Sequence, residues 1–507
     1  MPLIGKKIPP IADVCMLLEG TYPYVRGGVS SWIHQMISGL PEISFSIIFI
    51  GGTPGSYTKR QYQMPANVVH FEEHYLETAW QTADAQPRKG DRKRMAKVRE
   101  MHQCFHRPGG ELPSELATEV MGLIGDGKGL SREDFLYSQA SWEAITEGYE
   151  TYCSDPSFVN YFWTLRSMHA PIFLLAEIAR NAPPTRLIHS ISTGYAGLLG
   201  AFLKRRWNCP FLLSEHGIYT KERKIDLAQA NWIHDSADDV GEGLSAEVSY
   251  IRRMWIRFFE QAGRLTYQAA DPIIALYEGN RQRQIEDGAL AERTQVIPNG
   301  INLQAYADAM AQRPEGIPQV VGLIGRVVPI KDIKTFIRAM RGVVSRLPDA
   351  EGWIIGPDEE DPAYAEECRS LVISLGLQER VKFLGFQNIS AIMPRLGVMA
   401  LTSISEAQPL VILEAYAAGV PVVATDVGSC RELIEGGCAE DRALGSAGET
   451  VAIADPQAST SAILALLQDP PRWQQAQQAG LQRVTQFYTE SLMYARYRKL
   501  YANAMEV

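Results

Sequence analysis

The chain has 507 residues, 46% hydrophobic and 21% charged, with 49 Lys plus Arg against 58 Asp plus Glu for a net charge of −9. That length exceeds one ordinary core and predicts about two to three soluble globular domains. The acidic balance excludes a general electrostatic pull toward nucleic acid or anionic lipid, leaving only local basic patches.

The cysteines, Cys15, Cys104, Cys153, Cys209, Cys368, Cys430 and Cys438, are scattered and include no C-x-x-C pair. This argues against a disulfide framework and a zinc site, and fits a reducing cytoplasm. Lys6 and Lys7 precede the apolar Val14 to Leu18, but Asp13 and Glu19 bracket that run, so no signal-peptide core is expected. No uninterrupted apolar stretch approaches bilayer-spanning length.

Ala12 to Leu18 reads as a buried strand, and Glu19 to Gly28 as the loop after it. Val29, Trp32, Ile33, Met36, Ile37 and Leu40 recur at helical spacing, so Gly27 and Gly28 stand at the entrance of an amphipathic helix. Two readings are open: backbone amides that approach a ligand closely, or simply a tight strand-to-helix turn. Phe45 to Ile50 is a second strand. From about Glu77 to Asp155 the alternation stops, as in an insertion. There Arg88, Lys89, Arg92, Lys93, Arg94, Lys97 and Arg99 form a basic run opposed only by Asp91 and Glu100. A solvated helix face is the expectation, and a contact with anionic lipid or an acidic partner the alternative.

Leu187 to His189 and Phe211 to Leu213 read as strands, which places Ser214-Glu215-His216-Gly217 just past a strand end. Glu222, Arg223 and the polar segment to Glu247 carry no reading. Val248 to Ala270 predicts a long helix, Ile273 to Leu276 a strand, and Tyr277 to Asn280 another strand-end loop. Pro298-Asn299-Gly300 is turn chemistry that closes the first half, and a polar linker runs on to Pro318. The pattern restarts at Val320 to Gly325, with Arg326 after that strand and Lys331 opening the next helix. Strands at Trp353, Val381 and Val398 follow. Strands alternating with helices imply a parallel sheet in each half. The expected domains are 1–297 and 318–488, joined by 298–317 and followed by a C-terminal helix in 489–507.

One stretch concentrates the chemistry. After the apolar Val398 to Leu401 come Ser403 to Gln408, then Pro409, where a first helical turn tolerates proline. A helix beginning there ends at Gly419, and Val420 to Ala424 forms the next strand. Glu406 lies in the loop before that helix and Glu414 inside it. The helix N-terminus favours a phosphate, whereas two carboxylates beside it repel one, so they are expected to accept hydrogen bonds from hydroxyls. A nucleotide-linked sugar supplies both groups. In open parallel sheets ligands bind outside the carboxyl ends of strands, where Gly27, Gly28, His216, Glu278, Arg326, Gly356, Gly385, Glu406 and Ser429 all fall.

The spacing of Glu406 and Glu414, with Leu413-Glu414-Ala415, Ala418 to Val423 and Gly428, resembles the E-x7-E element of retaining GT-B glycosyltransferases of the family-4 type. Ala407-Gln408-Pro409-Leu410 departs from the Gly or aromatic-Gly pair most members carry, and with the N-terminal features it looks most like the branch that builds the Pel exopolysaccharide. The resemblance, which covers nearly the whole chain apart from the helical insertion at about 77–155, implies an α/β GT-B fold of two facing Rossmann-like domains, the first binding acceptor, with a C-terminal helix returning to it. It also implies a UDP-sugar donor, a growing polysaccharide acceptor, no nucleic acid and no metal. The partner implied is an inner-membrane Pel synthase and export complex, which makes the protein cytoplasmic and peripheral to that membrane.

By the same resemblance Arg326 and Lys331 neutralise the leaving diphosphate, Glu406 holds sugar hydroxyls and His216 binds near the sugar 6-position. Glu414 holds the ribose, the backbone around Gly385-Phe386 reads the base, and Gly27, Gly28, Pro409 and Leu410 meet the ligand. A non-catalytic nucleotide-sugar sensor and a glycoside hydrolase remain the alternatives; a hydrolase would need two carboxylates but no phosphate-directed cations.

Overall fold

Val14–Glu19 and Phe45–Gly51 are buried almost throughout, the pattern of strands covered on both faces of a parallel sheet. The structure is a computed structural model that describes residues 9–80, 86–104, 112–125, 129–155, 157–229 and 249–506. Lys6, Lys7 and most of the polar segment running to Glu247 lie outside those residues.

The first sheet has seven strands: β1 (Val14–Glu19), β2 (Phe45–Gly51), β3 (Val68–Tyr75), β4 (Leu187–Ser190), β5 (Phe211–Glu215), β6 (Ile273–Ala275) and β7 (Thr294–Val296). Their order is β3-β2-β1-β4-β5-β6-β7. The second has six: β8 (Val320–Ile324), β9 (Glu351–Ile355), β10 (Val381–Gly385), β11 (Val398–Leu401), β12 (Val422–Thr425) and β13 (Gly448–Val451). They run β10-β9-β8-β11-β12-β13, and adjacent strands pair in parallel. Each sheet therefore reverses its winding once, between β1 and β4 and between β8 and β11. Those reversals open the crevices where doubly wound sheets bind ligands.

The chain divides into two compact units: Met1–Ala275 with Arg281–Gln295 and Arg498–Val507, and Leu276–Asn280 with Val296–Tyr497. The C-terminal helix, Glu490–Glu506, begins in the second unit and ends in the first. There the Tyr501 hydroxyl lies 2.7 Å from His189 Nδ1, and Arg498 Nε donates to Glu42 at 2.6 Å.

Between β3 and β4 the expected insertion is helical: Arg92–Gln103, Ser114–Gly125, Arg132–Tyr137 and Gln139–Tyr152, followed by the long Phe158–Asn181 helix. Its apolar faces, through Met95, Val98, Val120, Phe135 and Ile145, join the core of the first unit. Much of the basic run is ion-paired within the insertion, Arg92 with Glu143, Arg99 with Glu147, Lys97 with Glu100 and Glu119, and Arg94 with Asp91. Such exposed pairs contribute little stability each.

Several local expectations need correction. Tyr277 to Asn280 is not a strand-end loop, because Glu278 opens the helix Glu278–Glu286. The polar linker contains helical turns, Leu303–Tyr306 and Ala307–Ala311, which bury Tyr306 and Ala309 against the second unit's core. Lys331 ends a 3-10 turn, Pro329–Lys331; the next helix, Ile333–Arg346, is capped by Asp332, whose side chain accepts from the Thr335 amide.

Candidate functional site

In the second unit the crevice between β8 and β11 is built by two loops fastened together. Ile404 N–H donates to the Ile330 carbonyl at 2.9 Å, and the Thr402 hydroxyl donates to the carbonyls of Lys331 and Asp332 at 2.9 and 3.0 Å. This brings Lys331 Nζ within 2.5 Å of Glu406 Oε1, with the two side chains only 20% and 12% exposed. Gly428 follows β12 and packs on the same loop. It has φ +56°, and a Cβ there would lie 2.3 Å from the Glu406 carbonyl oxygen and 2.5 Å from that of Ala407. Only glycine fits such a position.

The helix after Glu406 runs Leu410–Ala417, with Pro409 as its N-cap residue rather than inside its first turn. Among the described residues no side chain caps its N-terminus, which leaves the first-turn amides available to an anion. At the other end Val420 N–H reaches the Ala415 carbonyl and Gly419 N–H that of Tyr416, the paired bonds of a Schellman stop. Glu414, on this helix, accepts from the Tyr306 hydroxyl. Burial raises the Glu414 carboxyl above its ordinary pKa and the Tyr306 hydrogen bond opposes part of that rise.

The carboxyl ends of β8, β9 and β10 form a glycine rim. Gly325 N–H donates to Ile355 O and Gly356 N–H to Gly385 O, both at 2.9 Å. A Cβ on Gly356 would lie 2.0 Å from the Gly325 carbonyl oxygen, so side chains are kept off this edge. Phe386, next along, is 79% exposed. Arg326 is less committed to the crevice than expected: its Nη1 donates to both oxygens of Glu360 at 2.6 Å, in a half-exposed pair.

In the first unit, Gly28 opens the helix Gly28–Gly39, and a Cβ added to either Gly27 or Gly28 would meet nothing within 4 Å among the described residues. A crowded turn therefore does not account for this glycine pair. One turn on, Trp32 is buried and stands edge-on to His216, ring centroids 4.4 Å apart. His216 follows β5; burial lowers its pKa to about 4, so it is neutral near pH 7. Its Nε2 is buried with no hydrogen-bond partner among the described residues.

Sequence reasoning missed Tyr306 and Trp32, one hidden in a polar segment and the other indistinguishable from a core residue on its helix. It also missed what Gln408 does. Gln408 Oε1 accepts the Asn299 amide at 2.7 Å, so the residue that departs from the family pattern braces the Glu406 loop against the Pro298-Asn299-Gly300 turn. Beside it Asn299 Oδ1, Ser403 Oγ and Ser429 Oγ are buried without hydrogen-bond partners among the described residues. Burial pushes the Cys430 thiol up to about 12, which keeps it protonated near pH 7.

A family model described as "Domain of unknown function (DUF3492)" matches residues 12–292, more than half of the chain. The chain belongs to that family. A second model, "Glycosyl transferases group 1", matches residues 318–469, so this DUF3492 member carries a group 1 glycosyltransferase domain around the Lys331–Glu406 crevice. It is 31% identical over 268 residues to D-inositol 3-phosphate glycosyltransferase of Salinispora arenicola, a match covering 50% of this chain and 56% of the relative. The Rhodococcus erythropolis enzyme of the same name is 27% identical over 277 residues, covering 52% of this chain and 58% of that one. The chain thus spans little more than half the length of these curated relatives.

Among solved structures, Anabaena HepE in complex with UDP aligns with a TM-score of 0.59 at 16% identity, covering 97% of this chain and all of that one. Sucrose-phosphate synthase from Thermosynechococcus elongatus aligns at 0.57 and 18% identity, covering 97% and 98%. The two parallel-sheet, Rossmann-like domains are those of a GT-B glycosyltransferase fold.

Proposed function

We propose that the chain is a retaining, metal-independent glycosyltransferase that transfers a sugar from UDP-glucose or a UDP-N-acetylhexosamine to a growing exopolysaccharide of the Pel type, like the PelF enzymes it resembles. On this reading it works in the cytoplasm, peripheral to the inner membrane, beside a synthase and export complex. The observation that carries the proposal is the Lys331–Glu406 pair, 2.5 Å apart at the reversal of the second sheet, next to a helix with no side-chain N-cap. Cation, carboxylate and free amides together suit a diphosphate and a sugar held side by side.

Breaking the glycosidic bond builds charge on the departing diphosphate oxygen. Lys331 and the amides of Leu410 and Val411 meet that charge with preorganised donors. Glu406, relieved of part of its bond to Lys331, accepts hydroxyls of the transferred sugar, and Glu414 with Tyr306 holds the ribose. The backbone around Gly385-Phe386 reads the uracil. Arg326 exchanges Glu360 for phosphate at small cost, because an exposed pair is weak. In the first unit, taken by itself, neutral His216 has a buried Nε2 with no partner among the described residues, suited to a hydroxyl, and the open space at Gly27 and Gly28 leaves room beside the backbone.

Calorimetry of the full chain with UDP and UDP-sugars, followed by UDP release with oligosaccharide acceptor in excess chelator, tests the proposal. Donor-dependent UDP release that persists with chelator is expected. Absence of nucleotide binding refutes the reading, while binding without turnover in the presence of acceptor would make the protein a sensor. A requirement for magnesium or manganese would sink the metal-free part.

A further inference from the structure

The helical insertion carries a surface to which the proposed reaction assigns no role. The first turns of the Phe158–Asn181 helix present Phe158, Val159, Phe162 and Trp163, and Val159 and Trp163 are 61% and 54% exposed. Trp142, on the preceding helix and 50% exposed, lies across them, its ring 5.7 Å from Phe158 and 5.8 Å from Phe162. Scattered exposed apolar residues are ordinary, but a contiguous aromatic ridge marks an interaction surface.

Beside this ridge is a shallow cleft of about 460 Å³ whose charged lining residues are Arg88, Lys89 and Arg166, with Trp142 also lining it. No carboxylate is among the described residues that line the cleft. Arg166 places its guanidinium over Phe162 at 4.6 Å and donates from Nη2 to the Leu136 carbonyl, and its buried Nε has no hydrogen-bond partner among the described residues. The nearby acids are engaged, Asp134 with Arg88 at 3.6 Å and Glu143 with Arg92 at 2.6 Å.

We propose that this ridge and cleft dock the protein onto an anionic bilayer surface. Trp142, Val159 and Trp163 enter the headgroup layer, while Arg88, Lys89 and Arg166 meet lipid phosphates. Exposed aromatics flanked by cations with apolar stems are the composition that a membrane interface selects. The open cleft, continuous with the apolar ridge, suits a headgroup whose chains lie to one side better than a free phosphate, which an enclosed cradle would hold. Arg88 gives up its long, partly exposed contact with Asp134 at 3.6 Å, whereas Arg92, Arg94, Lys97 and Arg99 do not line the cleft and stay paired with acids of the insertion.

The test is sedimentation of the full chain with vesicles of phosphatidylcholine alone and of phosphatidylcholine in which roughly a third is replaced by phosphatidylglycerol. Binding to the anionic vesicles is expected, weakening steeply with salt. Lys89→Glu should reduce it about fivefold or more, the scale of one surface cation. Trp142→Ser with Trp163→Ser should reduce it roughly tenfold or more. All three positions tolerate polar replacement without burial, and an unchanged unfolding midpoint confirms the fold of each variant.

Absence of binding to both vesicles overturns the proposal, as does binding that ignores both sets of substitutions. So does a dimer that the double tryptophan variant dissociates without any vesicle affinity, which would assign the ridge to a second copy. The assay reads no sugar transfer, so its outcome is independent of the proposed activity.

Discussion

Lys331 and Glu406 should prove to be a pair whose members have opposite effects on nucleotide affinity. Their 2.5 Å contact is 20% and 12% exposed, between the surface limit, where an ion pair contributes about 0.2 to 1 kcal/mol, and the buried limit, where removing one partner costs about 3 to 5. A charge-assisted hydrogen bond from Lys331 to a diphosphate in this setting is worth about 1.5 to 3 kcal/mol. Lys331→Ala should therefore weaken UDP binding roughly tenfold to 150-fold, taking 1.4 kcal/mol per decade. Turnover should fall about a hundredfold or more, the scale for one preorganised donor. Glu406→Ala removes the competitor for the same ammonium, so UDP affinity should hold or rise while sugar transfer falls. Calorimetry of both single variants and the double variant with UDP, together with transfer rates, measures each term. Equal losses of UDP affinity in the two single variants would refute this division, leaving the pair a structural clasp between two loops.

Three other outcomes follow from the geometry. Glu414→Ala should weaken UDP and UDP-sugar alike by about 1.5 to 3 kcal/mol, read by the same titrations, since this side chain is assigned to the nucleoside. Gly428→Ala should lower the urea midpoint and depress transfer, because a methyl would strike the backbone oxygens of Glu406 and Ala407 at φ +56°; a cost of about 1 to 3 kcal/mol is expected. Glu215, buried among donors from Tyr267, Gln284 and Thr193, has its pKa raised by burial from 4.5 to about 7. The folded state then holds a proton that the unfolded chain has lost, so this residue's contribution is present below about pH 4.5 and disappears as pH rises through about 7. Urea unfolding of wild type and Glu215→Gln at pH 5 and pH 8 should show that the variant loses less stability over that interval. The difference between the two proteins is the readout, because His189 and His216, held neutral by burial, pull the opposite way in acid.

Strands legible in the sequence are those buried on both faces, such as β1, β2, β8 and β11, where continuous apolar runs leave little choice. The sequence reading passed over β3 and β13, both at sheet edges. In β3, His70 and His74 bond to Glu72 at 2.7 and 3.0 Å, so polar residues alternate where a buried strand would be apolar. The E-x7-E stretch was legible because Pro409, Gly419 and Gly428 are local backbone requirements. Arg326 was over-read: its place after β8 is as expected, but no local pattern announced Glu360, 34 residues on, as its partner.

The alternation of apolar runs and helical periods, punctuated by Gly and Pro, by itself determined two α/β halves, the interruption between 77 and 155, and the loop and helix positions of Glu406 and Glu414. These are local properties of backbone dihedrals and burial, written in consecutive residues. Only the tertiary structure decided that Lys331 meets Glu406, that Tyr306 from a polar linker meets Glu414, that Trp32 packs on His216 and that Gln408 braces the site loop. Each of those contacts joins residues far apart in the chain, and the partner is chosen by strand order and by how two loops are fastened, which no single segment encodes.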